Sequence, residues 1–129
     1  MAKHKFIPRP IPTIAIMPDH QLSVTELVEK WCVQLCEVLN RDYEKHYDNY
    51  RYRFHLSSGR KYWKILETEG SVHAFVDKKT GEVYKPASWS SPAKGVRFDL
   101  RFIKQREWLH KNADWAGGYL YRKQHAALD

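Results

Sequence analysis

One capped, amphipathic helix near the start of the chain restricts its fold most strongly. Ser23 and Glu26 have the spacing of a capping box, in which each side chain satisfies a backbone amide of the first helical turn. Apolar side chains then recur at helical spacing, namely Val24, Leu27, Val28, Trp31, Leu35, Val38 and Leu39. The pattern predicts one helix from about Val24 to about Lys45. Its apolar stripe has to be buried against a second layer of structure.

The chain after this helix changes to a period of two, which is typical of strands. Residues 50–56 alternate aromatic or apolar side chains with basic ones, and a turn is expected at residues 57–59. Residues 61–66 and 72–77 are the next predicted strands. We expect Val72, Ala74 and Val76 to share one face of the third strand.

A glycine turn and a proline mark the next hairpin. Residues 77–81 have the turn chemistry of a short hairpin, with Gly81 in the left-handed position. Residues 82–85 form the return strand, and Pro86 ends it because proline has no amide to donate. Residues 86–95 are then a loop around Trp89. Residues 96–102 alternate as a fifth strand would, or lead into a short helix over residues 103–112.

These elements predict an α+β fold, with one long amphipathic helix packed on a four- to five-stranded antiparallel meander. A short C-terminal helix or strand is expected near residues 119–121. Four of the six prolines lie in the first 20 residues, which favours an extended arm. The predicted organisation is an arm over residues 1–21, one domain over residues 22–123, and a frayed tail over residues 124–129.

The balance of charge favours an anionic partner. The chain of 129 residues has a formal net charge of +7 and is 14% aromatic. Nucleic acid, a membrane surface or an acidic protein would each suit this charge. No run approaches the length of about 18 apolar residues that a transmembrane helix needs, so a transmembrane span is excluded. Among these partners we predict nucleic acid and no membrane.

The residues that could support catalysis do not form a recognisable site. Cys32 and Cys36 lie four apart on the predicted helix, where disulfide geometry is poor, so both are expected to be reduced, in a reducing compartment. Two thiols without paired partners do not make a zinc site. A nucleophilic cysteine would need a distant histidine such as His73, and Asp77, Glu82 and Asp99 are the carboxylates that might converge on a metal. We predict no enzyme activity, no metal and no cofactor.

Binding of nucleic acid has better support, because basic residues are interleaved with aromatic rings. Phosphates need several positive contacts, and each base stacked on an exposed ring contributes roughly 1–3 kcal/mol. The candidate rings are Tyr62, Trp63, Tyr84 and Trp89. The predicted nucleic-acid-binding residues are Arg51, Arg53, His55, Lys64, Lys85, Trp89, Lys94, Arg97 and Arg101. The alternative is a solvated sheet face on which basic stems cover apolar rings, with Trp89 plugging the end of the sheet.

Three segments also carry a family resemblance: SVHAFVDKKTGEVYKPASW, SPAKGVRFDLR and ADWAGGYLY. The chain from about residue 61 to residue 122 resembles small uncharacterised proteins encoded by bacteriophages and related mobile elements. That family has no established activity, so no functional residue follows from the resemblance. It implies a viral gene product that acts in the host bacterial cytoplasm or is built into a virion.

Two functions from different classes follow. The first is a small DNA-binding protein for single strands, which uses a basic and aromatic sheet face and the Trp89 loop. The second is a virion structural or assembly protein whose residues 1–20 contact other virion proteins or further copies of the chain. Inhibition of a host enzyme is a third possibility. Duplex DNA and RNA are the alternative ligands, and either face of the predicted sheet could be the open one.

Overall fold

The computed structural model describes residues 18–47 and 53–121, and shows a five-stranded antiparallel sheet with a long helix on one face. In chain order the elements are the 3-10 helix Asp19–Gln21, α1 (Val24–His46), β1 (Phe54–Ser58), β2 (Tyr62–Glu67), β3 (Val72–Asp77), β4 (Glu82–Tyr84), β5 (Phe98–Asp99), α2 (Ile103–Asn112) and the 3-10 helix Gly118–Tyr121. The strands pair in chain order, as in a meander. The predicted α+β fold is therefore confirmed. Most of the predicted arm and the predicted tail lie outside the described residues, and the last three residues of the arm form a helical turn.

Helix α1 begins where the sequence predicts. The Ser23 amide donates to Glu26 Oε1 at 2.9 Å, and the Glu26 amide donates to Ser23 Oγ at 3.2 Å, so both halves of the capping box form. Cys32 and Cys36 lie on the buried side of the helix and are not joined in a disulfide. Burial raises the pKa of the Cys32 thiol well above its usual value, which keeps it protonated and unreactive.

The hydrophobic core lies between α1 and one face of the sheet, which we call the inner face. The sheet contributes Phe54, Ile65, Ala74, Val76, Val83 and Phe98 to this core. Leu109 of α2 and Leu120 of the C-terminal 3-10 helix extend it beside β5. Both helices thus bury their apolar side chains on the inner face. The other face of the sheet, called the outer face below, presents its side chains away from this core.

A bulge between β2 and β3 corrects one expectation about the faces. Ile65 pairs with Ala74, but the next residue, Leu66, pairs with Val72, so His73 is an extra residue. Because directly paired residues share a face and neighbours along a strand do not, Val72 lies on the outer face, opposite to Ala74. The prediction that Val72, Ala74 and Val76 share a face is wrong for Val72. The first turn also comes later than predicted, since β1 continues through Ser58.

Strand β1 lies at the edge of the sheet, and α1 closes the start of that edge. Asn40 of α1 accepts a hydrogen bond from the Phe54 amide at 2.7 Å and donates one to the Phe54 carbonyl at 3.1 Å. The side chain therefore satisfies both backbone groups that a further strand would otherwise pair. The predicted strand residues 50–52 lie outside the described residues.

The segment after the Trp89 loop contains both structures that its sequence allowed. β5 is a strand of only two residues, and α2 follows it almost at once.

Gly81 has a φ of 75°, which confirms the predicted left-handed glycine of the β3–β4 hairpin. Within the described ranges, no helix is long and apolar enough to cross a membrane.

Candidate nucleic-acid interface

The outer face of the sheet carries a second, smaller packed group of three rings and one lysine, which we call the outer-face cluster: Tyr62, Lys64, Phe75 and Tyr84. Phe75 is only 1% exposed, although it lies outside the main core. Lys64 and Tyr84 are its directly paired neighbours on either side. The Tyr62 ring meets Phe75 edge-on, with 5.7 Å between ring centroids. The outer face therefore has an aromatic floor of its own.

The Trp89 loop is closed by its own hydrogen bonds. Pro86 and Pro92 form an isolated antiparallel bridge, and the Ala93 amide donates to the Lys85 carbonyl at 2.8 Å. At the tip, the amides of residues 87 and 88 both donate to the Ser91 carbonyl, at 3.0 and 3.1 Å. The loop is thus a small hairpin with a defined conformation, and it holds Trp89 in one place before any ligand arrives.

Trp89 reaches back over the outer-face cluster. The ammonium of Lys64 lies 4.4 Å from the centroid of the Trp89 ring and 5.7 Å from the centroid of Phe75. Such cation–π contacts hold the charge against the rings. Trp89 nevertheless remains 54% exposed, so much of the ring is open to solvent. Lys64 therefore contacts the Trp89 ring, and the exposed part of the ring remains accessible to a ligand.

A shallow groove of about 290 Å³ runs beside this ring, and we call it the Trp89 groove. Its lining residues are Gly70, Ser71, Val72, Pro86, Ala87, Ser88 and Trp89. The β2–β3 turn forms one wall and the Trp89 loop the other. The groove lies on the outer face, because the bulge turns Val72 toward that face.

The charges of the outer face are not evenly distributed. Glu82 and Asp99 are directly paired across β4 and β5, and Asp77 lies near them at the β3–β4 turn. Arg101 makes a two-pronged ion pair with Asp99, with Nη2 to Oδ2 at 2.7 Å and Nε to Oδ1 at 3.1 Å. This hydrogen bonding raises the pKa of Arg101. One end of the outer face is therefore acidic, and the Arg101 charge is largely neutralised there.

The structure brings together only part of the predicted binding residues. Lys64 lies beneath Trp89, and His55 is on the same face because it pairs with Leu66. Arg97 directly precedes β5, and continuing the strand register places it opposite Tyr84. Its Nε is enclosed without a hydrogen-bond partner among the described residues. Lys94 is exposed in the loop that leads to it.

Other predicted residues lie elsewhere. Lys85 points to the side opposite Tyr84, and its ammonium is 4.4 Å from the centroid of the Tyr121 ring. Arg101 belongs to the acidic end. Arg53 precedes β1 and alternates with Phe54 onto the outer side, whereas Arg51 lies outside the described residues.

Trp63 and Phe75 differ from the sequence interpretation in the face or the role that the structure gives them. Trp63 was grouped with Tyr62 as a candidate stacking ring, but it packs against the core on the inner face, with Lys78 4.6 Å from its centroid. Phe75, which supports the outer-face cluster, was not among the candidate residues. The alternation of strand β2 could have separated Tyr62 from Trp63, since neighbouring residues face opposite sides.

The pKa of Tyr84 is sensitive to the carboxylates at the acidic end of the outer face. Burial raises the pKa of Tyr84 to about 12, aided by the charge of Glu82 and by the hydrogen bond that Tyr84 donates to Glu82 at 3.2 Å. The folded pKa lies above the ordinary value of about 10, so the stabilisation is complete below pH 10 and is lost as the pH rises through about 12. We expect Glu82→Gln to lower this pKa, because the amide keeps the acceptor and removes the charge.

Ultraviolet absorbance during alkaline titration measures this pKa, with Tyr84→Phe as the difference reference. The expected difference spectrum shows one tyrosine that titrates well above pH 10 in the wild-type protein and nearer 10 in Glu82→Gln. A Tyr84 signal that titrates near pH 10 in both proteins would contradict the described contact.

No metal-binding arrangement occurs in the described part of the chain. Within it, no group of three or more His, Cys, Asp or Glu residues is placed to hold a metal ion. Asp77 is engaged in its own turn, where it accepts hydrogen bonds from the amides of Lys79 and Thr80 at 2.8 and 3.0 Å. The described part of the outer face therefore presents rings, scattered cations and the acidic end.

Comparison with known proteins places the chain in a family but gives it no activity. No curated protein and no solved structure matches the chain. A family model described as "Family of unknown function (DUF7717)" matches residues 15–122, which is most of the 129 residues and all of the described sheet. The chain therefore belongs to the family of unknown function DUF7717.

Proposed function

We propose that this protein binds single-stranded nucleic acid on the outer face of its sheet, with Trp89 as the main stacking platform. The observation that carries the proposal is the position of Trp89, which is held over Lys64 by a closed loop and is still half exposed. A ring presented in this way can stack on a base at little further cost in conformational entropy, because the loop is already ordered.

The distribution of charge supports a restricted path for the strand. Lys64 belongs to the outer-face cluster and Arg97 lies opposite its Tyr84, whereas the carboxylates gather at the end marked by Asp77 and Asp99. Lys94 is exposed in the loop that precedes Arg97. A phosphate backbone would be attracted to the first group and repelled from the second. We therefore infer that the strand crosses the outer face on the Trp89 side and avoids the acidic end.

An unpaired strand suits this surface better than a duplex. Stacking on an exposed ring needs a base that is free of its neighbours, as single strands provide. Helix α1 mixes basic residues with acids such as Glu29 and Glu37, unlike a uniformly basic recognition helix. Helix α2 is more basic, but its Arg106 guanidinium is held by the Leu100 carbonyl and lies over the Trp31 ring. We propose single-stranded DNA as the ligand, and the resemblance to bacteriophage proteins suggests the host bacterial cytoplasm as the setting.

The alternative function, assembly into a virion or a homo-oligomer, has one observation in its favour. Phe102 and Ile103 are neighbours at the start of α2 and are 45% and 61% exposed. Adjacent large apolar side chains on a surface are typical of contacts between proteins. The oligonucleotide measurement below separates the two functions, because an assembly surface at α2 makes no use of Trp89.

The test of the proposal compares two exposed rings. We expect Trp89→Ala to weaken the binding of a fluorescently labelled oligothymidylate by roughly tenfold, since one stacked base contributes 1–3 kcal/mol. Tyr121→Ala is the matched control, because Tyr121 is 65% exposed and its ring contacts Lys85, which points to the side opposite Tyr84 of the outer-face cluster. Fluorescence anisotropy at low salt measures both. An equal effect of the two substitutions, or no binding by the wild-type protein, would sink the proposal.

A further inference from the structure

The Trp89 groove has the shape and lining for a flat, largely apolar ligand. Its floor and walls come from the β2–β3 turn at residues 70–72 and from the loop at residues 86–89, and its volume is about 290 Å³. Gly70, with a φ of 96°, leaves open space where a side chain would stand. Trp89 lines the groove and is 54% exposed, so we infer that a planar group in the groove lies against its ring.

Two polar oxygens at the groove, Ser88 Oγ and the Ser71 carbonyl, are engaged within the protein. Ser88 Oγ accepts hydrogen bonds from the amides of Ser90 and Ser91, both at 3.2 Å, and lies 3.1 Å from Ser91 Oγ. The Ser71 carbonyl accepts from the Glu67 amide at 2.9 Å. These two oxygens are therefore already used within the protein and are not the groups that would read the edge of a base. A site of this kind recognises the flat face of a ring and tolerates different bases.

We propose that the Trp89 groove is a subsite for one unpaired nucleobase of any identity, which stacks against Trp89 and lies over the backbone of residues 70–72. This inference rests on the proposed function and specifies where one base is held. It predicts one property that stacking on Trp89 alone does not, namely sensitivity to filling the groove. Like stacking in general, it also predicts similar affinity for oligonucleotides of different sequence.

The decisive experiment fills the groove without altering Trp89. Ala87 lines the groove, and its amide rather than its side chain bonds to Ser91, so Ala87→Phe occupies the groove and preserves the loop. Ser90→Phe is the matched control, because it adds the same ring to the same loop outside the groove lining. Gly70 is a poor choice for filling, since its positive φ makes any side chain strained. Thermal unfolding establishes that each variant is folded.

The measured quantity is the affinity for a labelled oligothymidylate and for an abasic oligonucleotide of the same length. We expect Ala87→Phe to lose roughly tenfold in affinity for oligothymidylate, and Ser90→Phe to stay within about twofold of the wild type. On the abasic strand the two variants should bind alike, because no base is present to be excluded. Oligocytidylate and oligoadenylate should give affinities within about tenfold of oligothymidylate.

The outcomes separate the subsite from the function on which it rests. Wild-type binding that Ala87→Phe and Ser90→Phe reduce equally, or a loss in Ala87→Phe that persists on the abasic strand, overturns the subsite and leaves the proposed function standing. No wild-type binding to any strand at low salt overturns both. If Ala87→Phe does not fold, Ala87→Leu with Ser90→Leu as its control applies the same criterion with a smaller side chain.

Discussion

Replacing Phe75 by alanine is expected to lower the free energy of unfolding by about 3–5 kcal/mol, which is the usual cost of deleting a buried aromatic side chain. Phe75 is 1% exposed, and Tyr62, Lys64 and Tyr84 surround it. The loss would leave a cavity beneath these three residues. Because Lys64 also lies against Trp89, the substitution removes support from the candidate interface as well. Chemical denaturation followed by circular dichroism measures the change.

Phe102→Ala is the matched control for this prediction. Phe102 is 45% exposed, and exposed positions usually change stability by no more than about 0.5 kcal/mol. Phe75→Leu should cost less than Phe75→Ala, because it leaves a smaller cavity, and it allows a measurement if the alanine variant does not fold. Similar losses for Phe75→Ala and Phe102→Ala would mean that the outer face has no packed floor.

The second large effect concerns the closed edge of the sheet. Asn40→Ala is expected to lower the free energy of unfolding by about 2 kcal/mol or more, because the amide and carbonyl of Phe54 each lose their partner, and an unsatisfied buried group costs about 1–3 kcal/mol. The side chain of Phe54 is buried, which limits the access of water to these groups. Denaturation in urea measures the loss.

Asn112→Ala provides the comparison for Asn40. Asn112 is exposed and makes one hydrogen bond, from its Nδ2 to the Trp108 carbonyl at 2.9 Å, near the end of α2. Water can replace that bond, so the expected loss is about 0.5 kcal/mol or less. If Asn40→Ala proves as mild as Asn112→Ala, the Asn40 contact does not stabilise the edge strand.

Most elements of this fold can be predicted from local chemistry. The capping box at Ser23 and the helical spacing of apolar residues define α1, and the glycine at position 81 defines the β3–β4 hairpin. Signals of this kind lie within one turn or one hairpin of the chain. They can therefore be recognised without knowing which residues pack against them.

Features that depend on pairing between strands could not be predicted in the same way. The bulge at His73 comes from the register between β2 and β3, and it alone moves Val72 to the outer face. The burial of Phe75 depends on its cross-strand neighbours, because its position in the alternation predicts exposure. A one-residue change of register reverses every face that follows, so sequence alone gives the strands more reliably than their sides.

In the candidate site, too, some residues can be predicted from local sequence and others depend on tertiary contacts. A tryptophan among Ser, Pro and Lys residues fits no core pattern, which makes Trp89 a candidate from sequence, and the structure leaves it exposed on a closed loop. Arg101 and Lys85 were grouped with it by proximity in sequence. Tertiary contacts give their charges other partners, since Arg101 pairs with Asp99 and Lys85 lies over Tyr121. A basic pattern in sequence does not show which charges remain available.

The measurement that tests the central claim most directly is the salt dependence of oligothymidylate binding by the wild-type protein, Arg97→Gln and Lys85→Gln. For single strands the slope of log affinity against log salt is about −0.7 per phosphate contact. The account predicts wild-type binding that weakens with rising salt, a slope about 0.7 shallower for Arg97→Gln, and an unchanged slope for Lys85→Gln. No wild-type binding at low salt, or equal slopes for the two variants, would contradict a nucleic-acid path across the outer face beside Trp89.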